Sequence, residues 1–423
     1  MRAATHNPRR IRGNLRDGQR GIAIPLVVVG LLAVLAIAGL ALDGSHALVN
    51  KTRLQNLVDA AALTAAKELS LPSTTAQATV AANGLFDQNA DGRGNHEVND
   101  AWDLGEITVT VQYSATLNPF VPGAPDGPFV RVIAQNFDIW TTLSRVLGID
   151  EIPVAASAVA GPSPTIDNAC NIAPLVVCAD DVSQPYFGFQ QNELRVLKPQ
   201  PGQHGDVGPG NYKLLRLDCG AGGACVRQNM AGSYDQCLTD GETVETEPGV
   251  TAGPTSQGFN TRFGEYAGGD VNPQEHPPDV IVSPPDPYLE ADDSVPPKIF
   301  WGTQEVQTTD EVNDDNFFAY GNYIERSANG PYDYEVPIGQ KGRRVMAMPV
   351  ADCSGDDTGQ STLEVEGFAC FFMLQPILGG PDKEIFGQFV DDCVTGGVPG
   401  PDPNATQGAV VIQLYKDPDS NDS

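Results

Sequence analysis

The stretch DQNADGRGNHEVND, residues 87–100, holds the residue types and spacing closest to a binding site. Asp87, Asn89 and Asp91 alternate, and Gly92 follows. Alternate oxygen ligands converge on a hard divalent cation when a glycine permits the sharp turn, so this is the opening of a calcium loop. The backbone carbonyl of Arg93 comes next. A complete loop closes on a bidentate glutamate, and that place is Val98 here; Glu97 and Asp100 stand near enough to close the shell in another geometry. The expected Ca2+ set is therefore Asp87, Asn89, Asp91, Arg93, Glu97 and Asp100. The competing reading is a polar turn, because tight turns draw on the same Asp, Asn and Gly.

Nucleophilic and acid–base chemistry has weaker support. The chain has no GxSxG, no HExxH and no phosphate-binding loop. The acid pairs Asp292-Asp293, Asp314-Asp315 and Asp391-Asp392 have the chemistry of glycosidase carboxylates, but with 54 Asp and Glu in 423 residues neighbouring acids arise by chance. His96, His204 and His276 lie in polar stretches and are expected to be solvated. The aromatic segment DDNFFAYGNYIERSANGPYDYEVP, residues 314–337, reads either as core and loop packing or as an exposed patch for a partner. No catalytic residue and no enzyme activity is expected.

All eight cysteines follow residue 169: Cys170, Cys178, Cys219, Cys225, Cys237, Cys353, Cys370 and Cys393. None forms a CxxC, which argues against zinc and against a redox dithiol. An even number reads as four disulfides made in an oxidising compartment. Eight cysteines allow 105 pairings, and the expectation leans to local ones such as Cys170–Cys178.

What must position these groups begins with an apolar run. Ile22 to Leu42 carries no charge, and as a helix it is about 30 Å long, the thickness of a bilayer core. It is longer than the apolar core of a secretory signal and runs on into HALVNKTRLQNLVDAAALTAAKEL, so a retained anchor is expected. The small residues Ala38, Gly39 and Ala41 keep a cleaved signal as the alternative. Pro25 falls in the first turn, where its missing N–H costs little. Arg2, Arg9, Arg10, Arg12, Arg16 and Arg20 face one acid, Asp17, in the first 20 residues, which keeps that end cytoplasmic. The rest is exported. The whole chain has a formal charge of −29, and its acids lie almost entirely in the exported part, which therefore repels nucleic acid.

Beyond the run, Leu48, Leu54, Leu57, Val58, Ala61, Ala65 and Leu69 recur at helical spacing and predict a stalk. Its apolar stripe lies either on this chain's own sheet or on other subunits. Pro72 ends it, and a second helix is expected over residues 73–86. Alternation predicts strands at 106–114, 129–134 and 152–160, with a short helix at 140–147. GPSPT, residues 161–165, reads as a domain boundary. Short strands punctuated by Gly and Pro follow, a surface segment without regular structure is expected over 270–297, and the tail DPDSNDS reads as disordered. The expected fold class is α+β. It comprises a basic cytoplasmic tail (1–20), a transmembrane helix (21–43), a stalk with a small pilin-like antiparallel sheet (44–161), a disulfide-rich, mostly β extracytoplasmic domain (162–415) and a disordered tail (416–423).

The N-terminal segment resembles the Tad (Flp-type) pilus-assembly family of TadE/TadG-like proteins. That family's stalk places a basic residue before Leu-Gln and then Asp-Ala-Ala-Ala, and Arg53, Leu54, Gln55, Asp59, Ala60, Ala61 and Ala62 match it. The segment FDIWTTLSRVLGIDEIPVAASAVAG resembles the family's continuation, so the likeness spans roughly residues 18–161. It implies a single-pass protein of the bacterial inner membrane, N-terminus cytoplasmic and bulk periplasmic or extracellular. The implied partners are membrane lipid and other Tad assembly proteins or pilin-like subunits. Family members processed by a prepilin peptidase carry Glu five residues after the cleaved Gly; after Gly21 that position is Leu26. The string Asp43-Gly-Ser45 lacks the second serine of a von Willebrand A metal motif. The expected function is a structural component of pilus assembly that contributes to adhesion; the alternative is a membrane-tethered binding or hydrolytic domain unrelated to pili.

Overall fold

A computed structural model describes residues 23–71, 73–123, 127–198, 211–219, 223–248, 252–294, 296–354, 360–378, 384–400 and 408–420. Its first element is a single helix, α1 (Ala23–Ser70), which carries the apolar run from Ala23 onward and the stalk without interruption. Ala and Leu dominate it, and no proline follows Pro25 until Pro72, whose ring disfavours helical backbone in the residue before it. Helix α2 (Thr75–Ala90) starts on a capping box: the Gln77 N–H donates to Thr74 Oγ1, and the Thr74 N–H donates to Gln77 Oε1.

The first sheet is an antiparallel meander of β1 (Thr108–Ser114), β2 (Phe129–Trp140) and β3 (Glu151–Pro162). Val132 lies opposite both Val111 and Ala158. Strand β2 outlasts the alternation expected to end at Ala134 because a bulge lies between Ala134 and Phe137, with Asn136 at a φ of 67°. One inserted residue shifts the phase, so Val130, Val132 and Ala134 and then Phe137 and Ile139 all face the core. The helix expected at 140–147 is only a short 3-10 turn, Ser144–Leu147.

The stalk stripe packs on this chain's own sheet. Leu54, Val58, Ala61, Ala62 and Ala65 of α1 are fully buried against α2 and the inner faces of β2 and β3. Ala, rather than Leu, at most of these positions lets helix and sheet approach closely.

The chain crosses back over the expected boundary at 161–165. The C-terminal strand Ile412–Tyr415 returns to pair with β3, Leu414 opposite Ala160, and completes the first sheet. The disordered tail is likewise corrected. The Arg131 guanidinium pairs with Asp417 at 3.4 Å and with Asp419, and Asp417 is buried. A buried arginine in β2 needs carboxylates, and the tail supplies them. Residues 421–423 lie outside the described set.

The remainder builds on a mixed sheet whose centre is β4 (Val345–Ala351), β5 (Thr362–Met373) and β6 (Ile385–Val390). Val177–Cys178 joins β4 in parallel, and Leu194–Lys198 joins β6 antiparallel. Four disulfides tie it: Cys170–Cys237, Cys178–Cys353, Cys219–Cys225 and Cys370–Cys393. The expected local pair Cys170–Cys178 is therefore wrong. Cys170 and Cys237 face each other on paired strands, whereas Cys178 enters the sheet edge beside β4, whose end leads to Cys353.

The segment expected to wrap the surface over 270–297 is also corrected, since Asp279, Val280 and Ile281 are fully buried. They meet Arg344, itself without exposed surface. Arg344 donates to the carbonyls of Met373 and Leu374 (2.8 Å each) and of Ile281 and Ser283, and lies over the Phe372 and Phe263 rings. Asp279 accepts from the backbone N–H groups of Arg344 and Ile281 and from the Tyr323 hydroxyl. Burial pushes Asp279 up to about 6, against the pull of Arg344, and burial brings Arg344 down to about 10. The aromatic segment at 314–337 resolves as core packing at Phe317, Phe318 and Tyr323. His276, expected to be solvated, is buried beside Gln228; His204 lies outside the described residues.

Candidate functional site at the membrane end of the stalk

The apolar part of α1 is long enough to cross a bilayer. Its most apolar window has a mean hydropathy of 2.8, and only 6% of that window is buried against the rest of the chain. A helix so apolar and so bare in water would violate ordinary burial; in lipid it does not. Contact with the body starts at Gly39 and continues through Asp43, Ala47 and Asn50, all buried. Their spacing of three and four residues makes one seam along the helix.

The β2–β3 loop closes on this seam. A Cβ at Gly39 would lie 2.9 Å from Leu143 Cβ, so glycine is what allows the loop to touch the helix there. One turn on, the Asp43 carboxylate accepts three consecutive backbone N–H groups, from Thr142 (3.1 Å), Leu143 (3.0 Å) and Ser144 (2.6 Å). These open the turn Ser144–Leu147, whose free N–H groups would otherwise lack partners.

The next contact uses the helix that sequence reading missed, α3 (His96–Asp103). Its Glu97 accepts from His46 Nε2 at 2.8 Å and from Asn50 Nδ2. Partial burial raises the Glu97 carboxyl, but the hydrogen bonds from Asn50 and His46 outweigh it and hold the group below the usual glutamate range. Further along, Gln55 Nε2 donates to the Ser157 carbonyl at 2.8 Å and ties the stalk to β3.

The calcium geometry is not formed. Residues 87–100 are not one loop: Asp87 and Asn89 belong to the end of α2, Asp91 caps it, and Glu97 and Asp100 sit on α3. Asp87 accepts from Trp102 Nε1 at 2.8 Å, Glu97 turns to α1, and Arg93 is exposed. Among the described residues no three His, Cys, Asp or Glu side chains come together as a metal site. In HEVNDAWD, burial of Val98 and Ala101 on one face, with acidic Glu97 in the first turn, overrides both the loop pattern and the modest helix propensity of His, Asn and Asp. Asp43 was legible as the first charge after the apolar run, yet nothing local linked it to residues 142–144.

Comparison with known proteins fits this segment. Residues 21–68 match the Tad family model, Flp pilus-assembly TadE/G-like. Over those residues, a small part of the chain, the stalk is similar to that family. The match covers the apolar run and every α1 residue of the site, while Glu97 and the Thr142–Ser144 backbone lie outside it. No curated protein and no solved structure matches the chain. The family and the bare apolar helix together support a membrane-anchored role related to pilus assembly.

Proposed function

We propose that this chain is a non-enzymatic structural component of Tad/Flp-type pilus assembly. Its N-terminus is cytoplasmic, and its acidic, disulfide-tied bulk is periplasmic or extracellular, where it contributes to adhesion. The observation that carries the reading is the unbroken α1, which runs from a bilayer-length apolar segment into a buried TadE/G-like stalk. A helix continuous across that junction couples the membrane rigidly to the folded body, as a platform for assembling subunits requires. Orientation follows from the arginines before the span, and the four disulfides fit an oxidising compartment.

The test is membrane fractionation of cells with thiol labelling and protease treatment of spheroplasts, beside a deletion strain scored for surface filaments. The chain is expected in the membrane fraction, unlabelled by maleimide until reduced, digested from outside, and needed for normal filaments. Free thiols in the native chain or a body protected inside the cell would overturn the orientation. Unchanged filaments in the deletion strain would overturn the pilus role.

A further inference from the structure

We infer that the β2–β3 loop, residues 140–149, is a second membrane contact that inserts its apolar side chains into the interfacial layer of the bilayer beside α1. The inference rests on the membrane-anchored reading and goes beyond it, because it gives a part of the folded body to the lipid surface.

Depth is the first argument. The loop touches α1 at Gly39, about 4.5 Å on the membrane side of Leu42, where the uncharged run ends. A segment packed there shares the helix's surroundings, and those are the boundary between acyl chains and headgroups. Side-chain character is the second. Trp140, Val146 and Leu147 are 64%, 62% and 47% exposed, and Ile149 is also exposed. Four large apolar groups on a loop this short make an unpartnered patch in water. Tryptophan is the residue enriched at the membrane interface, and Arg145 lies over its ring at 5.6 Å with a stem long enough to carry its charge back to the headgroups.

The backbone is the third argument, independent of the other two. A loop placed near hydrocarbon must satisfy its own polar groups. Thr141 N–H donates to the Asp150 carbonyl, and the Thr141 hydroxyl bonds the Ile149 carbonyl. The Val146, Gly148 and Ile149 N–H groups bond carbonyls within the turn. Asp43 takes the three N–H groups of residues 142–144 that the turn leaves over. Asp43 thus fastens the loop at the depth of the span and satisfies three N–H groups that would otherwise resist insertion, leaving Arg145 and Asp150, paired with each other, as the charged groups on the headgroup side.

Reconstitution of the full chain into phosphatidylcholine–phosphatidylglycerol vesicles, with and without brominated acyl chains, tests this through tryptophan fluorescence. Brominated lipid is expected to quench the wild type. Most of that quenching is expected to vanish in Trp140→Phe and to persist in Trp102→Phe/Trp301→Phe. A double variant, Val146→Asp/Leu147→Asp, should still float with vesicles but show red-shifted emission from Trp140. Wild-type quenching that survives Trp140→Phe, or an absence of quenching in chain that floats with the vesicles, overturns the loop contact while leaving the anchor intact; the latter result would give the patch to a protein partner. Chain that does not float at all overturns the anchor reading and the loop contact with it.

Discussion

The two halves of the body are held together by different means. The stalk module has no cysteine and depends on one long helix laid over a meander, with alanines at the contact. Its order in space is nearly its order in sequence. The second half centres on the consecutive strands β4, β5 and β6, but its edge strands come from distant parts of the chain, and it is closed by four disulfides and a buried Asp279–Arg344 cluster. Both halves bury apolar cores, so the difference teaches what is added to burial in each: a continuous chain path in the first, and long-range covalent and ionic links in the second.

The largest effect that would break this contrast lies at Cys178–Cys353, which joins residues 175 apart. Restricting so long a loop in the unfolded chain is worth about 5 kcal/mol on the chain-entropy account, against about 2 kcal/mol for Cys219–Cys225, six residues apart. Cys178→Ala/Cys353→Ala is therefore expected to abolish the cooperative thermal transition of the second half, followed by near-ultraviolet circular dichroism in detergent. The helical far-ultraviolet signal of α1 and α2 should remain. Cys219→Ala/Cys225→Ala should only lower the transition. Equal losses from the two pairs would refute the contrast.

The same contrast explains what was legible in the sequence. Helical periodicity from Leu54 to Leu69 and alternation in EITVTVQYS report burial on one face, and such signals need only near neighbours. They gave α1, β1 and β3 to within a few residues. They failed at Gln135–Asn136, where a bulge inverts the phase, and at residues 96–103, where acidic and amide residues looked like a ligand loop but form a helix with Val98 and Ala101 inward. Asp43 and Glu97 act on residues 99 and 51 positions away, a distance that spacing does not encode. Disulfide pairing, the return of Ile412–Tyr415 to the first sheet and the burial of Asp279 are of the same kind.

A smaller effect, set by pH, isolates the buried cluster of the second half. Asp279 is raised to about 6, above the unfolded aspartate value of about 3.9. The folded state therefore binds the proton more tightly. Its stabilising contribution is full below the unfolded value and is lost as pH rises through about 6. Between pH 7 and pH 5 this group adds about 1 kcal/mol to the second half, against the buried His276, whose burial holds it below its usual value and makes its contribution fall over the same window, so the Asp279 part is read as the difference in slope from Asp279→Asn. Asp181, Asp270, Asp292 and Asp352 are shifted down, so their contributions change only at lower pH. In Asp279→Asn this part of the slope disappears whatever the absolute stability. A slope equal to that of the wild type would remove Asp279 from the account.

The smallest effect bears on whether the halves unfold separately. Lys341, at the start of the turn before β4, donates from Nζ to Ser73 Oγ at 2.7 Å and lies 3.4 Å from Glu68 Oε1 at the end of α1. Both side chains are mostly shielded, and Gln77 Nε2 reinforces the contact by donating to the Ala328 carbonyl. Lys341→Met keeps the apolar stem and removes the charge. The cost is about 0.5 kcal/mol, in the range of a single partly exposed ion pair. If burial and long-range links stabilise the two halves independently, that loss appears in the second half alone, as a midpoint lower by about 1–2 °C, while the helical transition stays in place. A matching fall in both transitions would show that the stalk and the disulfide-tied half melt as one cooperative unit, with Lys341 part of their common interface.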